Sequence, residues 1–120
     1  MVCVAVVQFP GSNCESETCQ ALRAAGAEAS IVRWNVARQE WARYDAFVLP
    51  GGFSYEDRVR AGAIAAKHAV LDEIASAADA GKPVLGVCNG AQILVEAGLV
   101  PGLVPGQVEV ALGPNAAVGW

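Results

Sequence analysis

The residues best suited to do chemistry in this sequence are Cys88 and the glycines around it. Val-Leu-Gly-Val-Cys-Asn-Gly-Ala-Gln at 84–92 reads as a buried β-strand, a Gly-x-Cys-x-Gly turn and the start of a helix. Such a turn has the mechanics of a nucleophile elbow. The central residue is held in a strained backbone conformation, and Gly86 and Gly90 remove the Cβ atoms that would clash where strand and helix cross. The cysteine side chain then points out of the turn, where the free N–H groups of a helix start favour an anion. The backbone N–H of Asn89, the residue after the nucleophile, would face an oxyanion developing on an attacked carbonyl. A plainer reading is a buried cysteine ahead of a glycine-rich helix start, and the symmetric placement of the two glycines argues against it.

Leu-Pro-Gly-Gly-Phe at 49–53 supplies a second piece. A Gly-Gly turn lets a backbone N–H come close to a ligand, so Gly52 is the candidate for a second oxyanion donor. Taken alone, a Gly-Gly pair is an ordinary turn, and its value depends on lying beside the elbow. Thiol catalysis normally needs a histidine base, and His68 is the only histidine in the sequence. Ile64, His68, Leu71 and Ala75 share one face of an expected helix, which places His68 between helix and sheet or at the rim and makes it a poor base. Glu56-Asp57 beside Arg58 and Arg60 reads as a solvated loop with local ion pairs.

The elements that must hold these groups follow from apolar runs and their breakers. Residues 2–7 are a β-branched run ended by Phe9-Pro10-Gly11, a first strand buried on both faces. Ser12 with Glu15 has the form of a capping box, and the alanine-rich helix over 14–25 stops at Gly26. Residues 28–33 form a second strand, 35–42 a short helix or turn, and 46–49 a third strand. A long helix spans about 60–80 and breaks at Gly81-Lys82-Pro83. Residues 84–87 are a fourth buried strand, and a helix over about 90–97 closes at Gly98. Beyond Val100 the pattern weakens, with one more strand expected at 107–112. Strands alternating with helices give a doubly wound α/β architecture with a mainly parallel sheet. Ligands bind such sheets outside the carboxyl ends of the strands. With the flavodoxin-like order 2-1-3-4, the turns at 10–13, 50–58 and 88–92 converge on one crevice.

The 120 residues suit one compact domain over 1–120, and 54% hydrophobic against 17% charged residues argues against intrinsic disorder. Net charge is −4 with no basic run, which argues against nucleic acid as a partner. The apolar start is too short for a signal core or a membrane span, so no membrane association and a cytoplasmic location are expected. Cys3, Cys14, Cys19 and Cys88 match neither zinc-site nor disulfide-framework spacing, so reduced thiols and no metal are expected. Cys3 reads as core packing, and Cys14 and Cys19 as small buried residues of the first helix.

Gly-Val-Cys-Asn-Gly-Ala-Gln-Ile-Leu at 86–94 resembles the Gly-x-Cys-x-Gly-x-Gln signature of class I, or triad, glutamine amidotransferases. Two further motifs narrow the resemblance: Phe-Pro-Gly-Ser-Asn-Cys-Glu at 9–15, and Leu-Pro-Gly-Gly-Phe-Ser-Tyr-Glu-Asp-Arg-Val-Arg-Ala-Gly-Ala-Ile-Ala at 49–65. Together they look like the glutamine amidotransferase subunits of phosphoribosylformylglycinamidine synthase, from de novo purine synthesis. The resemblance spans essentially the whole chain, including Gly-Pro-Asn-Ala at 113–116. It implies that Cys88 attacks the side-chain amide of glutamine, releasing ammonia and leaving a thioester that water hydrolyses to glutamate. It also implies an oxyanion hole from the backbone N–H groups of Gly52 and Asn89, with Gly51, Phe53 and Gln92 binding glutamine. Ammonia would pass to a separate synthetase subunit, accompanied by a small accessory subunit. ATP and Mg would sit on the synthetase, and this chain would carry no cofactor.

The family's catalytic histidine and its orienting acid belong to a C-terminal portion, so no residue here takes either role. The sequence therefore reads as the N-terminal part of one amidotransferase domain, apparently truncated. Its apolar Ala-Ala-Val-Gly-Trp end is uncapped, and an open sheet edge or apolar patch is expected. Ala91 stands where family members commonly carry an aromatic residue. One alternative is a non-catalytic amidotransferase-like module that binds glutamine or the synthetase without turnover. Another is a different elbow-cysteine protein, against which Gln92 and the Gly-Gly-Phe motif argue.

Overall fold

The computed structural model describes residues 1–114 and 116–117. Asn115 of the 113–116 match and the Val118–Trp120 end lie outside the described residues. The chain alternates β1 (Cys3–Gln8), α1 (Glu15–Ala24), β2 (Glu28–Arg33), β3 (Ala46–Leu49), α2 (Val70–Asp79), β4 (Val84–Gly86) and α3 (Asn89–Glu96). A short 3-10 turn at Arg38–Arg43 leads into β3. The strands form one parallel sheet in the order β2-β1-β3-β4, the flavodoxin-like arrangement expected from the sequence.

Period-two alternation along β1 and β3 sends side chains to both faces of the sheet. Ala5, Val7, Phe47 and Leu49 pack with Val70, Leu71 and Ile74 of α2 and Ile93 and Leu94 of α3. Val4, Val6 and Val48 face the other way and pack with Cys19 of α1 and Ala29. Residues on both faces of β1 are buried, which is why its sequence is an uninterrupted apolar run. Each large side chain fully enclosed here, such as Phe47, Leu49, Ile74 or Ile93, contributes about 1.5–3 kcal/mol of transfer free energy.

Several local expectations fail, each through contacts that local pattern does not encode. The long helix over 60–80 does not form; α2 starts only at Val70. Gly62 runs so close to α3 that a Cβ there would lie 2.7 Å from the Ile93 nitrogen, and His68 is extended at φ −75°, ψ 146°. The capping box is also absent. Ser12 Oγ accepts a bond from the Phe9 N–H at 3.0 Å, while the buried Glu15 carboxylate accepts one from Gln8 Nε2 at 2.5 Å. Residues 107–112 form no strand.

β4 is shorter than expected and not fully buried. It is one of the two edges of the sheet, and Leu85 is 56% and Val87 48% exposed. On that face α1 packs over β1 and β2, and no helix among the described residues packs over β4. Cys19 is buried as expected, whereas Cys3 and Cys14 are only half-buried. Among the described residues, no helix is long and apolar enough to cross a membrane.

Candidate active site

β4 runs directly into Cys88, whose backbone sits at φ 52°, ψ −114°. Positive φ is costly for a residue with a Cβ, so this conformation persists only because the surroundings impose it. The Val87 N–H donates to the Leu49 carbonyl at 3.0 Å, extending β4 against the end of β3. Immediately afterwards the Gly90 N–H donates to the Val87 carbonyl at 2.9 Å, turning the chain into α3. The glycines are required by space: a Cβ on Gly86 would lie 2.7 Å from the Ala91 nitrogen, and one on Gly90 would lie 1.9 Å from the Leu49 oxygen. Cys88 is exposed at this corner. This is the elbow geometry expected from the sequence.

Beyond Leu49 the chain continues as an extended segment against the turn after β1. Ser12 and Gly52 form an antiparallel bridge, with the Phe53 N–H donating to the Gly11 carbonyl at 2.9 Å and the Asn13 N–H to the Gly51 carbonyl at 3.2 Å. In such a pair the flanking residues carry the bonds, so the Gly52 N–H points away from Ser12. The strand order places Cys88 on that other side. Gly52 has φ +144°, and a Cβ would lie 2.8 Å from both the Asn13 nitrogen and the Gly11 oxygen, so no other residue fits. Gly51 is the point of closest convergence. A Cβ built there would lie 3.5 Å from Cys14 Sγ and 3.7 Å from Cys88 Cβ. The turns at 10–13, 50–58 and 88–92 therefore meet as expected.

Asn89 is 2% exposed, and its side chain joins two parts of the site. Its Oδ1 accepts a bond from the Ser54 N–H at 3.0 Å, and its Nδ2 donates to Gln92 Oε1 at 3.1 Å. Gln92 lies one helical turn beyond Cys88 and is half-buried. The Phe53 side chain is 63% exposed. All six residues singled out from the sequence, Gly51, Gly52, Phe53, Cys88, Asn89 and Gln92, thus belong to one cluster.

His68 stands apart from that cluster. It stacks on Trp34 with ring centroids 4.2 Å apart, lies 6.2 Å from the Phe9 ring, and is bonded through Nε2 to the Tyr55 hydroxyl. Burial pushes its imidazole below the ordinary value and the Tyr55 phenol above its own. Trp34 follows β2 and Cys88 follows β4, so β1 and β3 lie between them, about 14 Å at ~4.8 Å per strand.

Three features escaped the sequence reading. Arg60 pairs with Glu96 rather than within its own loop, donating from Nε at 2.5 Å and from its terminal nitrogen at 2.8 Å. Glu96 is 5% exposed, and an acid at the end of the apolar helix run 93–95 was the available signal. Arg58 does pair locally with Glu56, at 3.2 Å on an exposed loop. The Ser54–Asn89 bond had no signal, because a backbone donor is invisible in residue types. Cys14 lines the site beside Gly51 at the start of α1 instead of packing inside it.

A family model for the CobB/CobQ-like glutamine amidotransferase domain matches residues 1–117. The chain belongs to this family. The amidotransferase domain is 54% identical to "Phosphoribosylformylglycinamidine synthase subunit PurQ" of Methanothrix thermoacetophila over 98 residues, 82% of this chain and 37% of that protein. The protein of the same name from Pyrococcus horikoshii is 53% identical over 115 residues, 96% of this chain and 47% of that protein. Among solved structures, "Structure of PurLQS from Thermotoga maritima" superposes with a TM-score of 0.74 at 44% identity, covering 82% of this chain and 45% of that one. The chain spans less than half the length of these relatives.

Proposed function

We propose that Cys88 is the nucleophile of a glutaminase site serving phosphoribosylformylglycinamidine synthase. The observation that carries this reading is the strained Cys88 elbow lying beside Gly51, with the N–H of the next residue, Gly52, turned away from Ser12. Cys88 Sγ attacks the side-chain carbonyl carbon of glutamine, and the backbone N–H groups of Gly52 and Asn89 receive the negative charge that develops on oxygen. Collapse of the tetrahedral adduct breaks the C–N bond. The nitrogen leaves as ammonia after taking the proton that the thiol gave up, and a γ-glutamyl thioester remains on Cys88. Water then attacks the thioester, releasing glutamate and restoring the thiol. Gly51, Phe53 and Gln92 bind glutamine. His68 is engaged by Trp34 and Tyr55, so it is not assigned as the base.

The names of the relatives support the destination of the ammonia. It passes to a synthetase subunit, accompanied by a small accessory subunit, which converts formylglycinamide ribonucleotide to its amidine. ATP and Mg are held by that synthetase, and the reaction takes place in the cytoplasm. Mass spectrometry after treatment with a chloroketone analogue of glutamine tests the reading. One adduct on Cys88, blocked by glutamine, is expected. Equal labelling of Cys3, Cys14 and Cys88, indifferent to glutamine, overturns it.

A further inference from the structure

The carboxamide of Asn89 ties together three groups that the proposed reaction uses separately. Its own backbone N–H is one oxyanion donor. Its Oδ1 accepts from Ser54, two residues beyond the other donor, Gly52, and its Nδ2 donates to Gln92 Oε1. A closed ring therefore runs from Gly52 through Phe53 to the Ser54 N–H, across to Asn89 Oδ1, back along the chain through Cys88 to the Val87 N–H, across to the Leu49 carbonyl and on through Pro50 and Gly51 to Gly52. The Ser12 bridge fixes Gly52 on its other side. The distance between the two oxyanion donors is thus set by two hydrogen bonds that neither of them makes, Val87 to Leu49 on one side and Ser54 to Asn89 on the other.

The same bond has a polarity, and it propagates. A backbone N–H can only donate, so Asn89 must present its oxygen to Ser54 and its amide nitrogen to Gln92. Gln92 must in turn present Oε1, which leaves its Nε2 uncommitted among the described residues. We infer that the Asn89 side chain is a positioning residue that spaces the two oxyanion donors and orients Gln92 so that its amide N–H2 is offered to an acceptor oxygen of glutamine. This rests on the glutaminase reading and adds to it the chemistry of the Gln92 contact: a donor to an oxygen, not an acceptor from the substrate ammonium.

Two substitutions in the full chain separate the two tasks. Asn89→Leu keeps bulk and removes both bonds. Asn89→Asp keeps an acceptor for Ser54 but has no donor for Gln92, which must turn its own amide nitrogen inward. Hydrogen exchange at the Ser54 amide reads the ring directly and needs no activity. It should accelerate about tenfold or more in Asn89→Leu and stay protected in Asn89→Asp. Labelling of Cys88 by the glutamine chloroketone reads the site. Asn89→Leu should slow its maximal rate by roughly 10²-fold, the scale of losing an oxyanion donor, while Asn89→Asp should weaken chiefly its half-saturation. Labelling by iodoacetamide, which uses neither pocket nor oxyanion hole, should stay within about twofold of native in Asn89→Leu, which adds no charge beside the thiolate.

Unchanged Ser54 exchange in Asn89→Leu overturns the inference, as does an equal loss with both reagents or identical kinetics in the two variants. A native chain whose labelling ignores glutamine overturns the glutaminase reading and with it the Gln92 assignment. The Ser54 exchange result still decides the ring in that case.

Discussion

Gly90 lies against Leu49 with no room for a side chain: a Cβ at Gly90 would sit 1.9 Å from the Leu49 carbonyl oxygen. That oxygen already accepts the Val87 N–H, so the end of β3 and the Cys88 turn are locked through one carbonyl. The next residues on the β3 side are Pro50, Gly51 and Gly52. The geometry of the nucleophile and the geometry of the proposed oxyanion strand are therefore set at the same place, and disturbing one disturbs the other.

Gly90→Ala tests this coupling. The backbone carbonyl cannot move aside as a flexible side chain would, so overpacking should cost about 3 kcal/mol, the upper part of the usual range. Thermal melting should show the loss. Selective Cys88 labelling should fall even at temperatures where the variant remains folded. A variant that melts and labels like the native chain would show that β3 and the elbow are not locked in this way.

Cys88 itself stores strain, since φ 52°, ψ −114° is unfavourable for any residue with a Cβ. Replacing it by glycine removes the strain, worth about 1–3 kcal/mol, and adds back about 0.5–1 kcal/mol of chain entropy. Cys88→Gly should therefore be at least as stable as the native chain by denaturant titration, while losing all chloroketone labelling. Marked destabilisation would mean that the thiol is held by packing and not against its backbone preference.

How far the sequence revealed these relations depends on the kind of contact. Strand order and the convergence of three turns were legible because apolar runs and glycine breakers record which segments are buried and where they end. The elbow was legible because close approach demands glycine at both 86 and 90. The helix over 60–80 was misread because its residues favour a helix locally, whereas Gly62 against Ile93 and Arg60 against Glu96 hold the first half of that segment as turns. Ser12 and Glu15 have capping spacing, but each found another partner, in Phe9 and Gln8. Pairings between segments distant in sequence leave no periodic trace.

His68 gives a negative prediction for the chemistry and a positive one for stability. Held by Trp34, Phe9 and Tyr55 on the β2 side of the sheet, it should not shape Cys88 reactivity, and His68→Gln should leave the pH profile of Cys88 alkylation unchanged. Burial holds the imidazole below its ordinary value of 6.5, so the unfolded chain takes up a proton first as pH falls. The native melting temperature should accordingly decline more steeply below pH 6.5 than that of His68→Gln. A shifted alkylation profile would place His68 in the catalytic machinery after all.

The Arg60–Glu96 pair connects the loop after the Gly-Gly turn to the helix that carries Cys88. The hydrogen bond from Arg60 holds the Glu96 carboxyl below its ordinary value of 4.5 against the opposing effect of burial, and the charges of Arg60 and Lys67 add to the lowering. A depressed carboxyl stabilises the fold above its unfolded value and loses that contribution as pH falls through its folded value. Glu96→Gln should thus melt below the native chain at neutral pH, and the gap should close as pH is lowered beneath 4.5. If the gap stayed constant across that range, the stabilisation would come from packing of the Glu96 side chain and not from its charge.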